Sequence, residues 1–82
     1  MKVIFENVGR GRLTWTADLP SLSWRSLERE VRKKRGALRS RSVDFEFNAD
    51  GTAGIIYVGD FRPVGTFRAE NAAVVAVQLR GI

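Results

Sequence analysis

The side chains in this sequence best suited to chemistry are its bases. Between Arg25 and Arg41 stand eight basic residues against two acids, Glu28 and Glu30, a local excess of +6 in a chain of 82 residues whose total is +5. A generally basic composition would spread charge along the chain. Concentration in one segment points instead to an anionic ligand: nucleic acid, an acidic protein surface or an anionic membrane. At helical periodicity Arg25, Arg29, Arg32 and Lys33 share an arc of about 100°. Trp24, Leu27, Val31 and Leu38 share an opposing arc of about 60° if the helix continues past Gly36.

Arginine presents a planar fork of donors and keeps its charge when partly desolvated, which suits phosphate groups. Arginines at i, i+4 and i+7 rise by about 6 and 4.5 Å, comparable to the spacing of phosphates along a backbone. Nucleic acid, DNA or RNA, is therefore the favoured partner. The expected contacts are Arg25, Arg29, Arg32 and Lys33, with Arg35, Arg39 and Arg41 as a secondary set and Arg10 and Arg12 as an extension. An acidic protein partner is the alternative, and a homodimer is a further option. A membrane surface is disfavoured because the apolar face of the helix is used by the core. A basic stripe edged by two acids also serves in many proteins as nothing more than a solvated face.

Other constellations carry less. The chain has no cysteine and no histidine, which removes disulfides, thiolate chemistry, the commonest metal ligand and the commonest general base. With no nucleophile–base pair and little room for a deep pocket, the expectation is a non-enzymatic protein without cofactor or metal. Gly9-Arg10-Gly11-Arg12 lacks the frame of a phosphate loop and reads as a hairpin turn. Asp44 and Glu46 point to one face of a strand, as magnesium ligands would, but such alternation is ordinarily solvation. Asn48 to Gly51 begins like a calcium loop, lacks its closing glutamate, and reads as a turn. Among the aromatics, Phe61 lies in a turn and is expected near the surface. The pairs Phe61-Arg62 and Phe67-Arg68 are compatible with base stacking beside a charge.

These residues need elements to hold them. Val3 and Phe5 alternate with polar neighbours, as do Leu13, Trp15 and Ala17, predicting a hairpin over 2–8 and 12–18. Pro20 ends the extended run. Ser23 is a good N-cap, with Leu22 and Leu27 placed as a hydrophobic staple, so a helix is expected from Trp24 to about Arg35 with Gly36 at C′. Lys34 falls on the apolar side and must snorkel or end the buried part of the helix. Turn signals at Asn48-Ala49-Asp50-Gly51, Gly59 to Pro63 and Glu70-Asn71 then separate strands around Val43–Phe47, Ile55–Val58, Val64–Arg68 and Val74–Leu79.

The expected fold is α+β, one domain over 1–82: an antiparallel sheet of five or six strands, in the order β-β-α-β-β-β-β, with one amphipathic helix on one face. A helix about 10 Å across cannot shield six strands about 4.8 Å apart. Ile4, Ile56, Val58 and Val74 are assigned to the second face, to be covered by curling into a partial barrel or by a partner. The terminal strand Val74–Leu79, if at an edge, offers a pairing site for that partner. The amino terminus reaches Glu6 too soon for a signal peptide, and no apolar run is long enough to span a bilayer, so a cytoplasmic location is expected. The element order matches none of the RRM, KH, dsRBD or helix-turn-helix frames.

Overall fold

The computed structural model describes residues 1–34, 36–38, 42–59 and 61–70. Within them lie β1 (Lys2–Val8), β2 (Leu13–Asp18), α1 (Trp24–Lys33), β3 (Val43–Phe47), β4 (Ala53–Val58) and β5 (Arg62–Ala69). The strands form one antiparallel sheet in the order β2-β1-β5-β4-β3. The expected strand Val74–Leu79 lies outside the described residues.

Two local units, the β1–β2 hairpin and the β3–β4–β5 meander, are joined by the β1–β5 pairing. Val3 stands opposite Ala69 and Phe5 opposite Phe67. Residues that face one another across antiparallel strands share a side of the sheet. The inner side therefore collects Val3, Phe5, Phe67, Ile56 and Phe45. They form one core with Leu27 and Val31 of α1. Phe5, Phe67, Leu27, Ile56, Val3, Val8 and Val31 are fully buried, each contributing about 1.5–3 kcal/mol through removal from water.

Register corrects one expectation. Composition assigns Ile56 and Val58 to the second face, yet Ile56 pairs with Phe45 and Val58 with Val43, which turns both into the core. The strand is apolar on both sides, so its composition does not fix which parity points inward. Ile55 and Tyr57 take the outer positions instead, half-buried, beside Ile4 as expected. That outer side is mixed in character, with Thr14, Thr16 and Thr66 exposed and Glu6 accepting from Arg68 Nε at 3.1 Å.

The helix begins as the sequence indicates. Ser23 is its N-cap, the side-chain oxygen accepting from the Ser26 N–H at 3.3 Å. It ends two residues early: Lys34 is the C-cap with extended backbone (φ −71°, ψ 116°). Its ammonium sits 5.5 Å from the centre of the Trp15 ring, which is how it leaves the apolar side. Gly36 does adopt the left-handed conformation (φ +81°). It does so one position later than expected, inside a turn closed by Ala37 N–H donating to Lys34 O at 3.3 Å. Leu38 consequently reaches the rim of the core from the loop and not from an extended helix.

Five strands at about 4.8 Å place the sheet edges about 19 Å apart, and a ten-residue helix is about 15 Å long. Lying across the sheet, α1 nearly bridges it. Trp24 at its start packs edge-on against Phe45 of β3, ring centres 5.3 Å apart. Toward its end Glu30 Oε2 accepts from Trp15 Nε1 of β2 at 3.1 Å. Side chains of one helix thus reach both edge strands, and the described sheet does not close, since β2 and β3 are not paired with each other. Trp24, expected in the core, remains 43% exposed because it overhangs the β3 edge.

Candidate nucleic-acid interface

Arg25, Arg29, Arg32 and Lys33 are all exposed on α1, on the side away from buried Leu27 and Val31. Of the four, Arg32 is engaged: its Nε donates to Glu28 Oε2 at 3.2 Å. Arg25, Arg29 and Lys33 make no ion pair among the described residues. Spaced i, i+4 and i+8, they form a row that climbs about 6 Å per step along the helix surface. The secondary set Arg35, Arg39 and Arg41 lies outside the described residues.

The row stays uncompensated because both acids of the helix are occupied. Glu28 serves Arg32, and Glu30 is turned toward β2, where it accepts the Trp15 indole N–H. Trp15 is itself fixed by stacking on Phe5, centroids 4.8 Å apart and planes 13° from parallel. Placement along the helix also bears on meaning. Cations in the last turn, here Arg32 and Lys33, suit the helix dipole and have a structural use. Arg25 lies in the first turn, which holds no acid. A positive charge there opposes the dipole by about 0.3–1 kcal/mol.

A second cationic group adjoins the end of the helix. The turn after α1 packs against the β1–β2 turn so closely that a Cβ on Gly9 would come within 1.9 Å of Ala37 O. Gly9 N–H also donates to Val64 O at 2.9 Å, tying that turn to the start of β5. Irregularities in register sit at this end of the sheet, between Phe5 and Val8 of β1 and beside Ile56 and Tyr57 where β4 meets β5. Asn7 takes the bulge with φ +55°, a conformation asparagine tolerates. The result is a groove of about 670 Å³ lined by Arg10, Arg12 and Arg62 together with Asn7 and Thr66. Those three arginines make no ion pair among the described residues. Glu6, the one acid among the described lining residues of the groove, is held by Arg68. Glu6, Ile55 and Thr66, which also line this groove, lie on the outer side of the sheet, so the groove that holds Arg10 and Arg12 opens on the side opposite α1. Arg62 escapes sequence reasoning as a partner because only the β1–β5 pairing brings it there.

Of the two stacking pairs, Phe67-Arg68 is ruled out by burial, since Phe67 is in the core and Arg68 points outward to Glu6. Phe61 is 77% exposed, as its turn position suggests. It carries φ +63°, a left-handed backbone costing about 1–2 kcal/mol for a residue with a Cβ. The segment Asn48 to Gly51 is a turn: Gly51 N–H donates to Asn48 O, and the Asp50 carboxylate accepts from the Thr52 hydroxyl at 2.7 Å. The Thr52 hydroxyl, and after it the Thr52 N–H, hold the Asp50 carboxyl below its ordinary range. Among the described residues no three His, Cys, Asp or Glu side chains gather as metal ligands, and no helix is long and apolar enough to cross a membrane.

The architecture and basic surface define a small α+β domain with a cationic helix laid across an open sheet. The chain matches no protein-family model, no curated protein and no solved structure.

Proposed function

We propose that this is a non-catalytic nucleic-acid-binding protein that grips the phosphate backbone through the outward row of α1. The observation that carries the reading is the uncompensated row itself. Arg25, Arg29 and Lys33 stand in line without ion pairs among the described residues, while the acids that would neutralise them are bonded elsewhere. Solvation alone requires polar residues on that face, not a cation where the helix dipole opposes one. Contacts made by guanidinium groups to phosphates position a duplex or strand without reading bases, so recognition is of backbone and shape.

Binding to single- and double-stranded DNA and RNA, measured across a salt series with a polyglutamate control, tests the proposal. With about five duplex phosphates neutralised, log K should fall against log salt with a slope of roughly −4 to −5. The double substitution Arg29→Glu, Arg32→Glu should abolish binding. Salt-independent binding, or polyglutamate bound as tightly as any nucleic acid, would refute it.

A role in protein interaction, the alternative reading, draws on a different observation. Strand β3 lies at the edge of the described sheet and, among the described residues, pairs only with β4, leaving one side of its backbone for a further strand.

A further inference from the structure

Strand β3, the edge of the described sheet, borders a cleft of about 540 Å³ whose lining includes Trp24, Asp44, Glu46, Tyr57 and Phe61. Its composition is unlike the rest of the surface. Trp24 and Phe61, the two aromatic rings left most exposed by the fold, both face it. Asp44 and Glu46 are the charged groups among its described lining residues, in a chain whose net charge is +5. Register explains the assembly: Asp44 pairs with Tyr57, Glu46 follows on the same side of β3, and Trp24 is brought to the edge by its contact with Phe45.

We propose that this cleft binds a cationic side chain, a guanidinium or alkylammonium, carried on an extended peptide that lies along β3. Aromatic faces attract a cation through their quadrupoles, and carboxylates at the rim supply the counter-charge. Tyr57 and Phe61 meet edge to face with centroids 6.5 Å apart, so the two rings form a corner and not a flat shelf. The Tyr57 hydroxyl donates to Glu46 Oε1 at 3.3 Å, which holds that carboxylate beside the rings. Asp44 has no bonded partner among the described residues and is free to meet a cation. The side of β3 left without a partner strand among the described residues gives the peptide backbone its hydrogen-bonding partners, fixing the extended conformation, while the cleft selects the side chain. Phe61 bears on the same point. A bulky residue held at φ +63° and 77% exposed contributes little to the core, and strain of this kind collects at binding sites. A phosphate backbone would be repelled by Asp44 and Glu46, so this site is separate from the basic row and stands or falls independently of it.

The test uses the full chain and a blocked pentapeptide, threonine alternating with two arginines, compared with the same peptide carrying citrulline, which keeps the shape and removes the charge. In two-dimensional NMR the arginine peptide should shift the Trp24 indole and the Phe61 amide signals while leaving the Trp15 indole in place. Affinity should fall at least about tenfold for citrulline and for the double variant Asp44→Asn, Glu46→Gln, on the scale expected when a cation–π interaction and an ion pair are removed. Phe61→Gly should weaken binding to a similar extent while leaving thermal stability equal or higher, since glycine accepts the left-handed backbone. That variant separates loss of the site from loss of the fold. Citrulline binding as well as arginine, or unchanged affinity in the double variant, overturns the proposal. Shifts of Trp24 and Phe61 on adding oligothymidine, with the peptide silent, also overturn it, in favour of base stacking.

Discussion

Arg25→Glu should make the protein more stable and bind nucleic acid less well, and the opposed signs make it the sharpest test of the interface. Ser23 caps α1, so Arg25 is the second helical residue, exposed and without an ion pair among the described residues. Removing a cation from the first turn relieves about 0.3–1 kcal/mol, and placing an anion there gains a similar amount. The new carboxylate would also precede Arg29 by four residues, the favourable orientation for a helical pair, adding about 0.2–0.5 kcal/mol. Together these give about 1–2 kcal/mol, or a rise in Tm of about 4–15 °C for a domain of this size. Calorimetry or urea unfolding measures the first half. For the second, the salt dependence of binding to a short duplex should become shallower by about 0.9 for each phosphate that the variant no longer neutralises. A fall in Tm would mean that the fold holds Arg25 through an interaction stronger than the opposing dipole. An unchanged slope would remove the helix from the interface.

Gly9→Ala and Gly51→Ala form a matched pair: both positions have left-handed backbone, φ +78° and +72°, but a Cβ on Gly9 meets Ala37 O at 1.9 Å while one on Gly51 meets nothing within 4 Å. The strain of about 1–2 kcal/mol is common to both, overpacking adds about 1–3 kcal/mol only at Gly9, and equal costs in urea titrations would show that the β1–β2 turn and the post-helix turn do not touch. Trp15→Phe keeps the stack on Phe5 but strips the donor from Glu30; a loss of about 1–2 kcal/mol is expected, and an unaltered midpoint would show the bond to be unimportant. The Asp50 carboxyl is depressed chiefly by the Thr52 hydroxyl and then by its N–H, so its contribution to the turn is complete above about pH 4 and is lost as the pH falls through the lower folded value. Amide shifts of Thr52 followed by NMR should report that acid transition, and Asp50→Asn should eliminate it.

What can be read from the sequence is whatever depends on neighbours a few residues away. Alternation at Val3, Phe5, Leu13, Trp15 and Ala17 locates the hairpin, and Ser23 locates the helix start, because period and capping are local properties. Ile56 and Val58 escape because a strand apolar on both sides has no parity of its own; the choice is made by Phe45 and Gly65 on the neighbouring strands. Trp24 escapes for a related reason. A helical wheel gives direction around the axis but not where the sheet beneath it ends. Arg10, Arg12 and Arg62 converge only because β1 pairs with β5, a pairing that spans most of the described chain. Asp44, Glu46 and Phe61 are each legible singly, as solvated acids and an exposed ring, and become a cleft only when Tyr57 is set beside Asp44.

The division of labour among the charged residues has a consequence for every charge-reversal experiment. Glu28, Glu30 and Glu6 are spent on Arg32, Trp15 and Arg68, whereas Arg25, Arg29, Lys33, Arg10, Arg12 and Arg62 form no ion pairs among the described residues. No buried polar or charged residue supports the described core, so its stability rests on apolar packing that none of those six cations enters. Reversing them costs at most the solvent-screened fraction of a surface interaction, save at Lys33, whose charge suits the helix dipole in the last turn. Arg32→Glu is a further exception, since it sets two carboxylates side by side at i, i+4 and should lower stability by about 0.2–0.5 kcal/mol. A loss of binding on reversing Arg29 alone, at constant Tm, therefore belongs to the interface; the same loss accompanied by unfolding would show that the row is part of the fold after all.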